Sequence, residues 1–199
     1  EQRQLIEEYI VKRPEFLASY NPLKFDSKAP AIVKKMMKSG REAGVGPMAT
    51  VAGCFAERVG QKLLQTYHFR EIIVENGGDI FLKIFQPAQI AIFAGQSPLS
   101  NRIALDISTT DDPIGICTSS ATVGPSKSFG KADAFVVVCH STPLADGLAT
   151  HYCNKLKKKE DISVLLQQCR ENKKIMTAAT VFGDNFGMIG QHKIRLIEE

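Results

Sequence analysis

Residues 74–81 read VENGGDIF. The run Ile72–Val74 before them is apolar, and Ile80–Phe85 after them is mostly apolar. Asn-Gly and Gly-Gly between two β-prone runs form a strong hairpin signal, because both pairs accept φ > 0. A plain hairpin needs only two such residues, whereas Asn76, Gly77 and Gly78 stand here between Glu75 and Asp79. The stretch therefore predicts a hairpin at about 70–86. It also raises the question of whether a bare backbone flanked by carboxylates serves a ligand.

Outward from the hairpin, the chain groups its elements rather than alternating them. Leu5, Ile6, Tyr9 and Ile10 predict a short first helix, and Pro14 opens another turn, PEFLASY. A helix after Pro30 carries Ile32, Val33, Met36 and Met37 on one face, and Gly40 and Gly44 end or bend it. A helix opening near Pro47 has Val51, Phe55, Val59 and Leu63 every four residues. After the hairpin, Ala88–Gly95 and Arg102–Ser108 read as strands, 113–132 as a Gly/Ser/Thr-rich loop, and Ala134–Cys139 as a buried strand. Thr142-Pro143 opens a helix with Leu144, Leu148, Tyr152 and Leu156, and Asp161 starts another. The tail reads as two strands around Gly-Asp-Asn. Such grouping predicts an α+β fold. Pro47-Met48-Ala49-Thr50 and Pro143-Leu144-Ala145-Asp146 open two similar helices, an internal echo that fits a duplication.

Composition limits the function classes. The chain has 199 residues, 44% hydrophobic and 23% charged, which suits one domain or two fused halves. A net charge of +4 is too small an excess to predict nucleic-acid binding. Lys155, Lys157, Lys158 and Lys159 cluster where a helix should end, as its dipole favours. No apolar run reaches the length of a membrane span. Five cysteines without a CxxC pair argue against a disulfide framework or zinc knuckle, so the cytoplasm is the expected compartment.

Four stretches could carry chemistry. Asp146 and Thr150 are four apart on a helix, so their oxygens share a face and could hold Mg²⁺ with phosphate and water completing the shell. An acid in a first helical turn is also favoured by the dipole alone, and spacing by itself favours that reading. GICTSSATVGPSKSFGKADA, 115–134, is dense in hydroxyls and backbone donors, with Lys127 and Lys131 to offset phosphate charge. It is not a Walker A loop, since five residues separate Gly124 from Gly130 and Ala132 follows Lys131. Cys117 among Thr118 and Ser119 could be a nucleophilic thiol, although isolated cysteines are usually core residues. GVGP at 44–47 could seat an anion ahead of a helix or simply be a tight turn.

Taken together, AGVGPMATVAG, VENGGDIFL, AGQSPLS, GICTSSATVGPSKSFGKADA and ADGLAT resemble one uncharacterised bacterial and archaeal family. That family is similar to, and distinct from, the ApbE-like FAD:protein FMN transferases. The wider likeness rests on Gly77-Gly78-Asp79, Thr118-Ser119 and Ala-Asp-x-x-Ala-Thr at Ala145–Thr150. It implies an α+β, T-fold-like domain over 1–199, mostly antiparallel, with related halves of about 1–110 and 111–199. It also implies a further N-terminal segment ahead of this start. The implied metal ligands for Mg²⁺ are Asp146 and Thr150, with a carbonyl from Gly46–Met48. A flavin nucleotide, FAD or FMN, would meet Gly77, Gly78, Asp79, Thr118, Ser119, Ser120, Gly124, Ser126 and Lys131. The glycine turn would then be bare so that other backbone can approach it. Where the transferases carry His-Ile-Ile-Asp-Pro, this chain has SATVGPSKSFGKADA without a histidine, so the resemblance leaves transfer itself open. Two rival expectations stand beside it: a sulfur-metabolism factor using Cys117 as a thiol carrier, and a non-catalytic homo-oligomeric module.

Overall fold

A computed structural model of the chain describes all residues except 109, 111, 125–127 and 198–199. Helices α1 (Gln2–Lys12), α2 (Glu15–Ala18) and α3 (Ala31–Ala43) come first. A 3₁₀ turn, Pro47–Thr50, leads into α4 (Val51–Thr66). Strands β1 (Ile72–Asn76), β2 (Asp79–Lys83), β3 (Ala88–Ala91), β4 (Ile103–Ile107), β5 (Ile114–Ser119) and β6 (Ala134–Cys139) follow. Then come α5 (Thr142–Lys155), α6 (Asp161–Glu171), β7 (Thr177–Phe182), β8 (Asn185–Gly190) and β9 (Lys193–Leu196). The strands form a six-stranded sheet, β1-β2-β5-β6-β7-β8, and a three-stranded sheet, β3-β4-β9, with every pairing antiparallel. This is the expected α+β class.

Side-chain alternation builds three layers. On β6, Phe135, Val137 and Cys139 face α5 and α6, while Ala134, Val136 and Val138 face the small sheet. Leu82, Ile114 and Ile116 join the second set, with Ile103, Leu105 and Ile107 of β4 opposite them. Phe81 and Cys117 project to the helical side. Asp79 lies two residues from Phe81 on β2 and pairs across the ladder with Cys117. The pleat therefore sends its carboxylate toward the helices as well.

Three expectations change. Residues 113–132 are not all loop, because Ile114–Ser119 is a central strand. Its short apolar run is hidden among small and hydroxylated residues, yet both faces of Ile114–Cys117 are covered. The tail holds a third strand, β9, exposed along its length. On α4 the expected stripe of Val51, Phe55, Val59 and Leu63 is not the buried face, and Val59 is 44% exposed. The buried face is Gly53, Cys54, Ala56, Glu57 and Gly60. Its small side chains let α4 approach α5 and β2 closely. A Cβ on Gly60 would stand 2.1 Å from the Phe81 ring, and one on Gly53 would stand 2.8 Å from the Thr142 carbonyl oxygen.

Candidate functional site

The β1–β2 hairpin has a two-residue turn, with Asn76 paired to Asp79 and Gly77 and Gly78 at φ 67° and 97°. Positive φ at both central positions is what a type I′ turn requires. No other backbone crowds it. A Cβ on Gly77 would meet nothing within 4 Å, and one on Gly78 would only touch Thr118 at 3.9 Å. The expected close backbone approach is thus absent, and twist alone demands these glycines. Glu75 folds back, its Oε1 accepting the Gly78 N–H at 2.7 Å.

The turn opens onto a cavity of about 1040 Å³. Gly77, Gly78, Asp79, Thr118, Ser119, Ser120, Gly124, Asp146 and Thr150 all line it. Gly46 and Met48, from the segment expected to supply a carbonyl, line it too. Lys131 is exposed outside the cavity, and Ser126 and Lys127 fall outside the described residues. The GVGP segment is a turn with its donors already used. Gly44 N–H reaches Arg41 O, Val45 N–H reaches Gly40 O, and Gly46 N–H reaches Tyr20 O at 2.8 Å. Those bonds leave no amides of Gly44–Gly46 for an anion.

Two carboxylates dominate one end. Asp79 is only 6% exposed, and its Oδ1 has no hydrogen-bond partner among the described residues. Burial pushes its carboxyl up to about 7, against the pull of the Cys117 thiol and the Thr118 N–H; the Glu75 charge adds to the rise. Asp146, half-buried on the first turns of α5, is also held well above the usual carboxylate range. Burial is the main cause and the charge of Asp79 the second, opposed by the N–H of Gly53. That N–H donates to Asp146 Oδ2 at 2.9 Å. Burial and a neighbouring like charge are the conditions under which a carboxylate takes up a cation or a proton.

Glu57 fixes the same region, and sequence reading missed it. It is 6% exposed on the small-residue face of α4. Its Oε2 accepts the Thr142 N–H at 2.9 Å and its Oε1 pairs with Lys35 of α3 at 2.9 Å. The available signal was Gly53, Ala56, Glu57 and Gly60 at i, i+3, i+4 and i+7: a helical stripe of small residues containing one acid. His151, Asn154 and Lys155 also line the cavity and were equally missed.

Cys117 does not fit a thiol carrier. It is fully buried beneath α5, its Sγ donating to Thr142 O at 3.3 Å. Burial, with the charges of Asp79 and Asp146, raises its thiol far from the thiolate range, opposite to the lowered value expected of a nucleophile. All five cysteines are buried and unpaired in disulfides.

Among the described residues no cluster of three or more His, Cys, Asp or Glu could hold a metal. Asp79, Asp146 and Thr150, which line one cavity, offer only oxygen atoms, the donor type that a hard cation takes. Among the described residues no helix is long and apolar enough to cross a membrane.

Two antiparallel sheets with helices on one side, and a cavity at the meeting of α4, α5 and the glycine turn, define an ApbE-like fold. The apbe protein from Thermotoga maritima superposes with a TM-score of 0.55 at 14% identity, over 72% of this chain and 50% of that one. The flavin transferase ApbE from Vibrio cholerae gives 0.50 at 17% identity, over 94% of this chain and 73% of that one. At such identities the likeness is one of fold. The chain spans half the length of the Thermotoga protein. Closer in sequence is a UPF0280 protein of Methanococcus aeolicus, 41% identical over 194 residues, 96% of this chain and 78% of that protein. The family described as AbpE bacteria matches residues 1–175, and the chain belongs to this ApbE-like family.

Proposed function

We propose that the cavity binds a flavin or another nucleotide through its phosphates, with Mg²⁺ held at the acidic end. The observation that carries this reading is the carboxylate pair, Asp79 buried and Asp146 half-buried. Asp79, whose Oδ1 is buried without a partner among the described residues, lines the same cavity as Asp146 and Thr150. A hard divalent cation would satisfy that oxygen when the carboxylate is ionised. Asp146 and Thr150 would hold the ion, and Asp79 would face it. The ion would supply positive charge to offset phosphate oxygens beside three acids, Glu75 included. Hydroxyls of Thr118, Ser119 and Ser120 supply neutral donors around it. The fold neighbour from Vibrio cholerae, a flavin transferase, makes a flavin the first ligand to test. The proposal concerns binding; transfer of a flavin group is no part of it.

The test is titration of the chain with FMN, FAD and ADP, with and without Mg²⁺, in wild type and Asp146→Asn. Asparagine keeps an oxygen for the Gly53 N–H and removes the charge. We expect Mg²⁺-dependent binding that weakens at least about tenfold in the variant, the scale of one lost charge-assisted contact. Binding indifferent both to Mg²⁺ and to the substitution would overturn the reading.

A further inference from the structure

Charge is segregated along the cavity. Glu75, Asp79 and Asp146 line one part of it. Among the described residues, Lys155 is the one lysine or arginine on its wall. Asp146, Thr150, His151, Asn154 and Lys155 fall at i, i+4, i+5, i+8 and i+9, so a single polar stripe of α5 runs the length of the cavity. From Asp146 to Lys155 the axial rise is about 13–14 Å at 1.5 Å per residue.

The basic end is arranged for an acceptor-rich group. Asn154 Oδ1 accepts the Phe129 N–H at 2.8 Å and the Ser128 hydroxyl at 3.2 Å. Both contacts fall on its oxygen, which leaves the amide N–H groups as donors. The His151 ring lies beside Gly44, and burial together with the Lys155 charge keeps its imidazole toward the neutral form. A lysine in a last helical turn is favoured by the dipole alone. Lys157, Lys158 and Lys159 lie beyond the end of α5, and of the four only Lys155 lines the cavity.

We infer that the ligand carries two separated anionic groups: a phosphate at the Asp146 end and a second phosphate or carboxylate held by Lys155, with His151 and Asn154 beside it. Flavin and adenine rings are neutral, so a plain mononucleotide would leave Lys155 unanswered. A point-charge lysine suits either kind of anion. This inference rests on the nucleotide reading above and narrows its ligand class.

Matched probes that differ by one anionic group test it, in the presence of Mg²⁺. ADP against 2′-phospho-ADP forms the phosphate arm, and UDP-glucose against UDP-glucuronate forms the carboxylate arm. We expect the doubly anionic member of one pair to bind at least about tenfold tighter. That ratio should fall to about one in Lys155→Met and survive in Lys155→Arg. Lys155 is exposed at a helix end, so neither variant threatens the fold. Equal affinities within both pairs, or a preference that persists in Lys155→Met, would overturn the inference while leaving nucleotide binding intact. Failure of every probe to bind would remove the underlying reading and this inference with it.

Discussion

Replacing Asp79 by asparagine should stabilise the protein, and only above acidic pH. The side chain is 6% exposed, with Oδ1 unpartnered. Its carboxyl is raised from the ordinary 3.8 to about 7, chiefly by burial. A raised folded-state value means that folding favours the protonated form. The contribution is fully present below about pH 4 and is lost as pH rises through about 7. Each tenfold in proton affinity is worth about 1.4 kcal/mol, so the penalty at pH 8 is capped at about 4 kcal/mol. Asparagine is nearly isosteric, carries no charge and keeps an oxygen for the Thr118 N–H. It also removes the repulsion felt by Asp146. Thermal unfolding of both proteins without divalent cations at pH 4.5 and pH 8 reads the effect. For a chain of this length the cap corresponds to about 10 °C. The melting points should nearly coincide at pH 4.5 and separate at pH 8, with the variant higher. A constant gap, or a variant that melts lower at pH 8, would refute a buried, repelled carboxylate.

Two further outcomes follow from packing. The five cysteines should resist a small alkylating reagent in the native protein and react together on unfolding in urea, because every one is buried with its thiol value raised; one fast equivalent mapping to Cys117 would contradict its place beneath α5. Gly60→Ala should destabilise by about 1–3 kcal/mol in chemical denaturation, since its Cβ would stand 2.1 Å from the Phe81 ring. Adding Phe81→Leu should then cost less than the sum of the two changes, and strict additivity would deny the contact.

How far the sequence revealed this molecule depended on whether the deciding interaction was local. Turn chemistry is local, so the Gly77-Gly78 hairpin and the helix openings at Pro47 and Pro143 were legible. The strand Ile114–Ser119 was not. Its Gly115 reads as a loop residue, yet it is there because a Cβ would stand 2.3 Å from Thr142 Cα, a contact set by tertiary packing. The face of α4 was misassigned for a related reason. Hydropathy draws attention to Val51, Phe55, Val59 and Leu63, whereas close helix packing selects small residues regardless of their hydropathy. Asp146 and Thr150 could be singled out by spacing, but only the fold brings them to one cavity with a turn some seventy residues earlier. Lys131, beside the hydroxyl-rich loop in sequence, points elsewhere, while Lys155, which looked like ordinary helix-end charge, lines the wall.

The contacts between α4 and α5 explain why Asp146 has two roles that must be separated. The first amides of a helix lack intrahelical partners, and burying them unpaired costs about 1–3 kcal/mol each. Here each helix satisfies a neighbour's amide with an acid. Glu57 of α4 takes the N–H of Thr142, the first residue of α5, and Asp146 of α5 takes the N–H of Gly53, the third residue of α4. Small residues at the crossing allow this reach, since a Cβ at Gly53 would meet Asp146 Cβ at 2.9 Å. The exchange fixes the helices against each other and sets the Asp146 carboxylate at the cavity wall. Structure alone would be served equally well by a neutral acceptor at 146. A charged one beside Asp79 adds repulsion that the fold does not require, and after burial the Asp79 charge is the second cause that raises the Asp146 carboxyl. That excess of negative charge, rather than the hydrogen bond, is what the proposed cation would offset.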